Sequence, residues 1–283
     1  MWLTITKLFP LLLLVSVSIQ AKNDIRVPGN KQASSLPVTL LKTMAQTSDQ
    51  FQLVFPYDQQ GEITKSRILS DVKNGQLDVH WSQSNAKFEQ DFQAIYIPIY
   101  RGLIGFRIGI VPKYKRDLLQ QVSSLSQLQK FTAGSGTLWS DTRILEHNGL
   151  PVVKEQKYPN LFPMLEGQRF DYFPRGLHEP WREIEKWQQY NLIVEPHLLI
   201  KYTAPFYFFV AKDNQALAQF ITQSLNELYA TGQYQALFFA DHDVATALAN
   251  AGLEKRTVIE LTNPNLTAQT PLTQKHLWYD PFE

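Results

Sequence analysis

The chain is predicted to be an α/β protein of two lobes, each a mostly parallel sheet flanked by helices, with two crossover strands forming a hinge between them. Three observations predict it. Short β-rich runs alternate with amphipathic helical runs along most of the sequence. The helical runs end at Gly or Asn-Gly stops, the ordinary chemistry of a helix C-terminus. Two long aromatic, β-rich segments, 94–112 and 198–212, interrupt the alternation on either side of a second α/β unit.

Taken in order, residues 25–27 form a first strand candidate, and Leu36, Leu40, Leu41 and Met44 fall on one helical face behind Ser34 or Ser35 as cap. Residues 51–57 read as a strand. Thr64 is placed to cap a helix through Lys73, with Ile68, Leu69 and Val72 inward and Asn74-Gly75 as its stop. Residues 77–81 are the next strand, which completes β-α-β-α-β. In the second unit, a short helix closes at 126–130, 131–133 is a strand, and Gly134-Ser135-Gly136-Thr137 leads into a helix over 140–147. Val152 and Val153 continue as a strand, Leu161, Phe162, Met164 and Leu165 sit on a helix stopped at Gly167, 170–173 is a strand, and 179–189 is helical. Leu217, Phe220, Ile221, Leu225 and Leu228 line one face of a long helix ended by Gly232. From about Thr257, Pro264, Pro271 and Pro281 mark an irregular segment. The expected lobe limits are 22–104 with 206–283 for lobe 1, and 105–205 for lobe 2.

Composition narrows the function. With 27 Lys and Arg against 26 Asp and Glu there is no basic field for a polyanion, so no nucleic-acid partner is expected. The absence of Cys removes thiolate catalysis, Cys-ligated zinc and iron–sulfur clusters, and no metal or cofactor is expected. Lys7, a largely apolar run over 8–17 and small residues up to Ala21 have the order of a secretory signal peptide over 1–21, too short to span a bilayer. The expected product is a monomeric periplasmic protein.

Several local motifs carry a family resemblance. Asn74-Gly-Gln-Leu-Asp78 precedes a strand, Pro98-Ile-Tyr100 opens the first crossover, Gly136-Thr137 follows the first strand of lobe 2, and Gly167-Gln-Arg-Phe-Asp171 leads into a later one. With the leader and the paired crossovers, this organisation resembles type II periplasmic solute-binding proteins, the family-3 group related to amino-acid receptors of ABC importers. The segments 100–107, 139–142 and 170–176 are similar to a bacterial subgroup known only as transporter substrate-binding domains. The resemblance implies hinge closure around a small solute, for an ABC permease or a membrane sensor. A few relatives of the fold are enzymes, dehydratases and peptidoglycan lyases among them. No Gly-x-Ser-x-Gly, P-loop, Rossmann or His-Glu-x-x-His motif is present, and His178-Glu179 is the one acid/base group expected in the cleft, so an enzyme is not expected.

Open α/β sheets bind ligands outside the carboxyl ends of their strands. That rule selects Trp81 in lobe 1, Tyr100 and Arg101 by the crossover, Ser135, Gly136, Thr137 and Trp139 in lobe 2, and Arg175 with Glu179 beyond it. The glycine turn offers backbone N–H groups and a helix N-terminus to an anion, or is simple loop geometry; Asp141 caps that helix or competes for the same dipole. Arg175 is placed to fork onto a ligand carboxylate, or onto Glu179. Arg101 and Arg107 are six apart and share a side if extended, and meet either the ligand or carboxylates of the hinge. Amino-acid receptors of the family carry an Asp about where Arg175 falls, and an Arg where this chain has only Lys87. Both departures imply an anionic ligand rather than a standard α-amino acid.

Overall fold

A computed structural model describes residues 22–61 and 63–282. The proposed signal peptide, 1–21, lies outside the described residues. The strands and helices run β1 (Asn23–Arg26), α1 (Leu36–Gln46), β2 (Phe51–Val54), α2 (Lys65–Lys73), β3 (Val79–Gln83), α3 (Ala86–Asp91), β4 (Gln93–Ile95), β5 (Phe106–Pro112), α4 (Leu125–Leu128), β6 (Ala133–Gly136), α5 (Ser140–His147), β7 (Val152–Glu155), α6 (Leu161–Glu166) and β8 (Phe173–Gly176). They continue through α7 (Pro180–Lys186), β9 (Leu192–Val194), β10 (Leu198–Lys201), β11 (Phe206–Val210), α8 (Gln215–Ala230), α9 (Gln233–Ala240), α10 (His242–Asn250) and β12 (Thr257–Glu260).

Parallel pairing holds where the chain alternates: β1 with β2, and β6 with β7. The crossovers enter antiparallel. In the first lobe β11 lies between β3 and β4, and in the second β5 pairs with β8, β9 and β10, all antiparallel. The mixed character of the sheets therefore comes from the hinge strands.

The helices form where apolar residues recur at helical spacing. Leu36, Leu40, Leu41 and Met44 of α1 pack with Leu217, Ile221, Leu225 and Leu228 of α8 in one core, which β3, β5 and β11 also enter. A second core collects Leu128, Ile144, Leu145, Tyr172 and Val111 of the other lobe. The crossovers touch at Gly105, where a Cβ would stand 1.9 Å from the Tyr202 carbonyl oxygen, so a side chain there cannot coexist with this hinge.

Two expectations change. Thr257–Glu260 is not irregular and does not pair within lobe 1: β12 runs parallel to β10 in the second sheet, and Ile259 is buried in that core. Only beyond it does the chain wrap the surface, bonding Asn148, Ser140, Glu89 and Arg101 in turn. The strand expected over 170–173 begins three residues later, at Phe173. Arg175 consequently sits inside β8, opposite Ile108, rather than beyond a strand end.

Candidate ligand-binding cleft

The carboxyl end of β3 faces the N-terminus of α5 across the interlobe cleft. Asn85 Nδ2 donates to Ser140 Oγ at 2.9 Å, and that hydroxyl donates to the Gln83 carbonyl at 3.1 Å. With its amide nitrogen turned toward lobe 2, Gln83 donates to Asp141 Oδ1 at 2.7 Å. Nearer the hinge, His178 stacks on Tyr100 with ring centroids 3.9 Å apart, and Arg182 meets Asp243 at 3.1 Å. The two lobes are thus in direct contact, and the cavity between them holds about 260 Å³. Its walls include Trp81 and Phe206 from lobe 1, Trp139 from lobe 2, and Lys65, Arg107, Asp141, Arg175 and Glu179 as charged groups.

Both arginines in the cavity are engaged by the protein. Arg175 is buried; its Nε donates to Glu183 at 2.9 Å and its Nη2 to Glu179 Oε1 at 2.6 Å, and its guanidinium lies 4.7 Å from the Trp139 ring. Burial alone would lower its pKa, but Glu179 and Glu183 together hold it above the ordinary value. Glu179 feels the converse: burial is outweighed by Arg175, His178 and Arg107, and its carboxyl is held low. Burial wins at Glu183, which is raised despite Arg175 and the Tyr158 hydroxyl that donates to it at 2.7 Å. Arg107 Nη2 meets Asp141 Oδ2 at 2.9 Å, and the Tyr202 hydroxyl donates to Oδ1 at 2.5 Å. Asp141 is therefore not the α5 cap, a position held by Trp139 without a side-chain bond. It acts as the counter-ion of Arg107.

Lys65 is the exception. Its ammonium donates to Ser82 Oγ at 2.9 Å and lies 4.8 Å from the Phe88 ring centroid, with no carboxylate within ion-pair distance among the described residues. Desolvation pulls its pKa down to about 8, only partly offset by Asp141. The residue is the first of α2, behind Thr64, whose hydroxyl accepts from Arg67 N at 3.4 Å. Helical side chains lean toward the N-terminus, which carries this one over the end of β3. Beside it His80 is 2% exposed, stacked on Phe209, with neither ring nitrogen hydrogen-bonded. Burial first and Lys65 second bring its pKa down to about 3, so it is neutral.

The cleft brings together Trp81, Arg107, Trp139, Arg175 and Glu179 of the residues expected from sequence. Others stand elsewhere. Ser135 is buried behind the wall, accepting from Thr142 Oγ1 at 2.8 Å, and Thr137 faces solvent. The glycines serve ring packing: a Cβ on Gly134 would lie 2.3 Å from Phe170, and one on Gly136 2.4 Å from Trp139. The expected anion turn is not a turn: Gly134, Ser135 and Gly136 belong to β6 and pair with β7, and the N–H groups of Gly134, Thr137 and Trp139 already bond to backbone carbonyls. Tyr100 stacks on His178 in a neighbouring cavity, and Arg101 lines a separate one at the hinge. Lys87 pairs with Asp91 at the surface, 3.2 Å away. Lys65 went unselected in the sequence, although a cation in a first helical turn, against the dipole, is a visible anomaly there. Asp241 caps α10 by accepting from Asp243 N and Val244 N, and no described group of three or more acidic or His side chains could hold a metal ion. Among the described residues no helix is long and apolar enough to cross a membrane.

No family model and no curated protein matches the chain. Solved structures do. A histidine kinase sensor domain with similarity to periplasmic binding proteins superposes with a TM-score of 0.61 at 16% identity, covering 78% of this chain and 96% of that one. An ancestral arginine-binding protein bound to glutamine gives 0.59 at 14%, covering 79% and 100%. The substrate-binding protein AbpA of Streptococcus pneumoniae, bound to L-arginine, gives 0.58 at 14%, covering 79% and 95%. The chain has the two-lobed fold of type II periplasmic binding proteins, and its structural neighbours include amino-acid-binding proteins of ABC transporters.

Proposed function

We propose that this chain is an exported receptor whose lobes, meeting near residues 104 and 205, close around a small carboxylate-bearing solute for ABC-type uptake. The observation that carries this is Lys65, a part-buried ammonium aimed into an aromatic-walled interlobe cavity whose other cations already have carboxylate partners. A ligand carboxylate gives it a charge-assisted hydrogen bond, a class of contact worth about 1.5–3 kcal/mol. Trp81, Phe206 and Trp139 flank the ligand body. The anion contact moves from Arg175 to Lys65 in this reading, and Arg175 and Arg107 shape the cleft through Glu179, Glu183 and Asp141. Neighbours bound to arginine and glutamine support a ligand of amino-acid size. A sensory output is the second reading, supported by the kinase sensor domain among the neighbours.

Thermal-shift screening against amino acids, dicarboxylates, aromatic acids, sugars and phosphates tests it, since a ligand at 100 times its Kd adds about 2.7 kcal/mol. The expected hits carry a carboxylate, and Lys65→Ala weakens them about tenfold or more in calorimetry, on the order of 1.4 kcal/mol. Hits confined to uncharged sugars, or equal affinity in Lys65→Ala, would overturn the reading.

A further inference from the structure

A second cavity, of about 340 Å³, lies at the hinge and shares no wall with the cleft. Arg101, Gly102 and Phe106 of the first crossover, Lys201, Tyr202 and Thr203 of the second, and Leu272, Lys275, Trp278, Tyr279 and Asp280 of the final segment enclose it. Strand alternation puts it there. Neighbouring residues of a strand point to opposite faces, so β5 presents Arg107 to the cleft and Phe106 to this cavity, opposite Lys201 of β10.

Its volume is within the range of small-molecule sites, about 300–1,000 Å³. Phe106, Tyr202, Trp278 and Tyr279 give it flat apolar walls, and the Trp278 ring lies so close to the hinge that a Cβ on Gly102 would stand 2.7 Å from it. The charges are unbalanced. Lys201 meets Asp280 at 3.1 Å, whereas Arg101 donates only to the carbonyls of His276 at 3.1 Å and Trp278 at 3.5 Å, and exposed Lys275 has no carboxylate partner among the described residues. Arg101 also holds a left-handed backbone, φ 50°, with its Nε buried and without a partner. A non-Gly residue held in that conformation is fixed by its surroundings.

We propose that this cavity is a second binding site, for a small anion with a flat aromatic body. The anionic group sits between Arg101 and Lys275 and the ring against Trp278 and Tyr279. Tyr202 stands between the two: its ring lines this cavity, and its hydroxyl donates to Asp141 on the wall of the cleft.

Naphthalene-1-sulfonate, titrated calorimetrically into the protein, tests the proposal. One saturable site is expected, weakened about fivefold by Lys275→Glu. Leu272→Trp, at a position 54% exposed on the cavity wall, fills the space and is expected to abolish binding. Lys65→Ala, in the cleft, leaves it unchanged to within about twofold because the sites are distinct. Absence of binding, or a loss that follows Lys65→Ala while Lys275→Glu and Leu272→Trp retain it, overturns the second site without touching the first.

Discussion

Replacing Asp141 with Ala tests the charge arrangement of the cleft most directly. The carboxylate faces Arg107, 2% exposed, at 2.9 Å, and accepts from Tyr202 at 2.5 Å. Without it the guanidinium keeps the Ile104 carbonyl at 3.1 Å and a distant Glu179 oxygen at 3.9 Å. Removing one partner of a buried pair costs about 3–5 kcal/mol, because the remaining charge is left desolvated. Here Glu179 and the adjoining cavity moderate that cost, which places the loss near the lower end, about 3 kcal/mol. For a chain of this size each kcal/mol moves Tm by about 2–4 °C, so a drop of about 6–12 °C is expected in calorimetric melts. Asp141→Asn, which keeps an acceptor but not the charge, is expected to fall between Asp141→Ala and the parent. The double variant Arg107→Met with Asp141→Leu removes the orphaned charge and is expected to recover most of the loss. A drop of under about 2 °C in Asp141→Ala, or a double variant no more stable than the single one, would refute the argument that buried charge is the cause.

Two further outcomes follow from the titratable groups of the cleft. Lys65 is pulled down to about 8 by burial, and only its protonated form pairs with a carboxylate, so ligand affinity is expected to fall as pH rises through about 8, approaching tenfold per unit. Calorimetric titrations between pH 6 and 10 check this, and an affinity flat across that range removes Lys65 from the contact. His80 is held neutral to about pH 3 in the fold but titrates near 6.5 when unfolded, so the unfolded chain binds the extra proton between those values. Stability is therefore lost as pH falls through about 6.5, at up to about 1.4 kcal/mol per unit from this group. His178, pulled down to about 4 by burial, adds in the same direction. His80→Phe, set among Phe88, Phe92 and Phe209, is expected to flatten that acid slope in denaturant melts, and an unchanged slope would remove His80 as its source.

How much was legible in the sequence follows from which interactions are local. Helices α1, α2, α5 and α8 are written as apolar spacing and terminal residues, both properties of a few consecutive positions, and the structure places them within a residue or two of expectation. The crossovers were visible as aromatic runs too long for one strand. Strand ends were not legible in the same way, because β8 begins where Phe173 pairs with Ile110 across the sheet rather than where its apolar run starts. That displacement decides the fate of Arg175: inside the strand it is held by Glu179, at the N-cap of α7, and by Glu183 within that helix, contacts set by helix orientation. Likewise the β-branched run Thr257-Val258-Ile259 has strand propensity, but its partner, the parallel edge of β10, is not legible from those residues. The glycines at 134 and 136 have the spacing of an anion turn yet lie in β6 and answer to Phe170 and Trp139, rings the strand meets only after folding. Lys65 carried a local signal, a cation set against a helix dipole, and its meaning appears only once Ser82 and Phe88 stand beside it.

On the proposed function, these charges act through closure of the lobes. The cross-lobe hydrogen bonds from Asn85 to Ser140 and from Ser140 to Gln83 join protein to protein, so this conformation, in which the lobes touch, has its own interactions before any solute contributes. A ligand shifts the hinge only by what it adds to that form over the open one. A solute that displaced Gln83 would exchange one hydrogen bond for another, and one that displaced Asp141 without supplying an anion would leave Arg107 buried without its partner, a net loss. A carboxylate that meets Lys65 satisfies a group whose hydrogen bond goes to Ser82 alone and whose other contact is the Phe88 ring, and it disturbs none of the cross-lobe bonds. On the proposed function, selectivity for closure rests on the one cation of the cavity that the described protein leaves without a carboxylate, and the solute expected to drive closure is one whose carboxylate reaches Lys65 while its body fits among Trp81, Trp139 and Phe206.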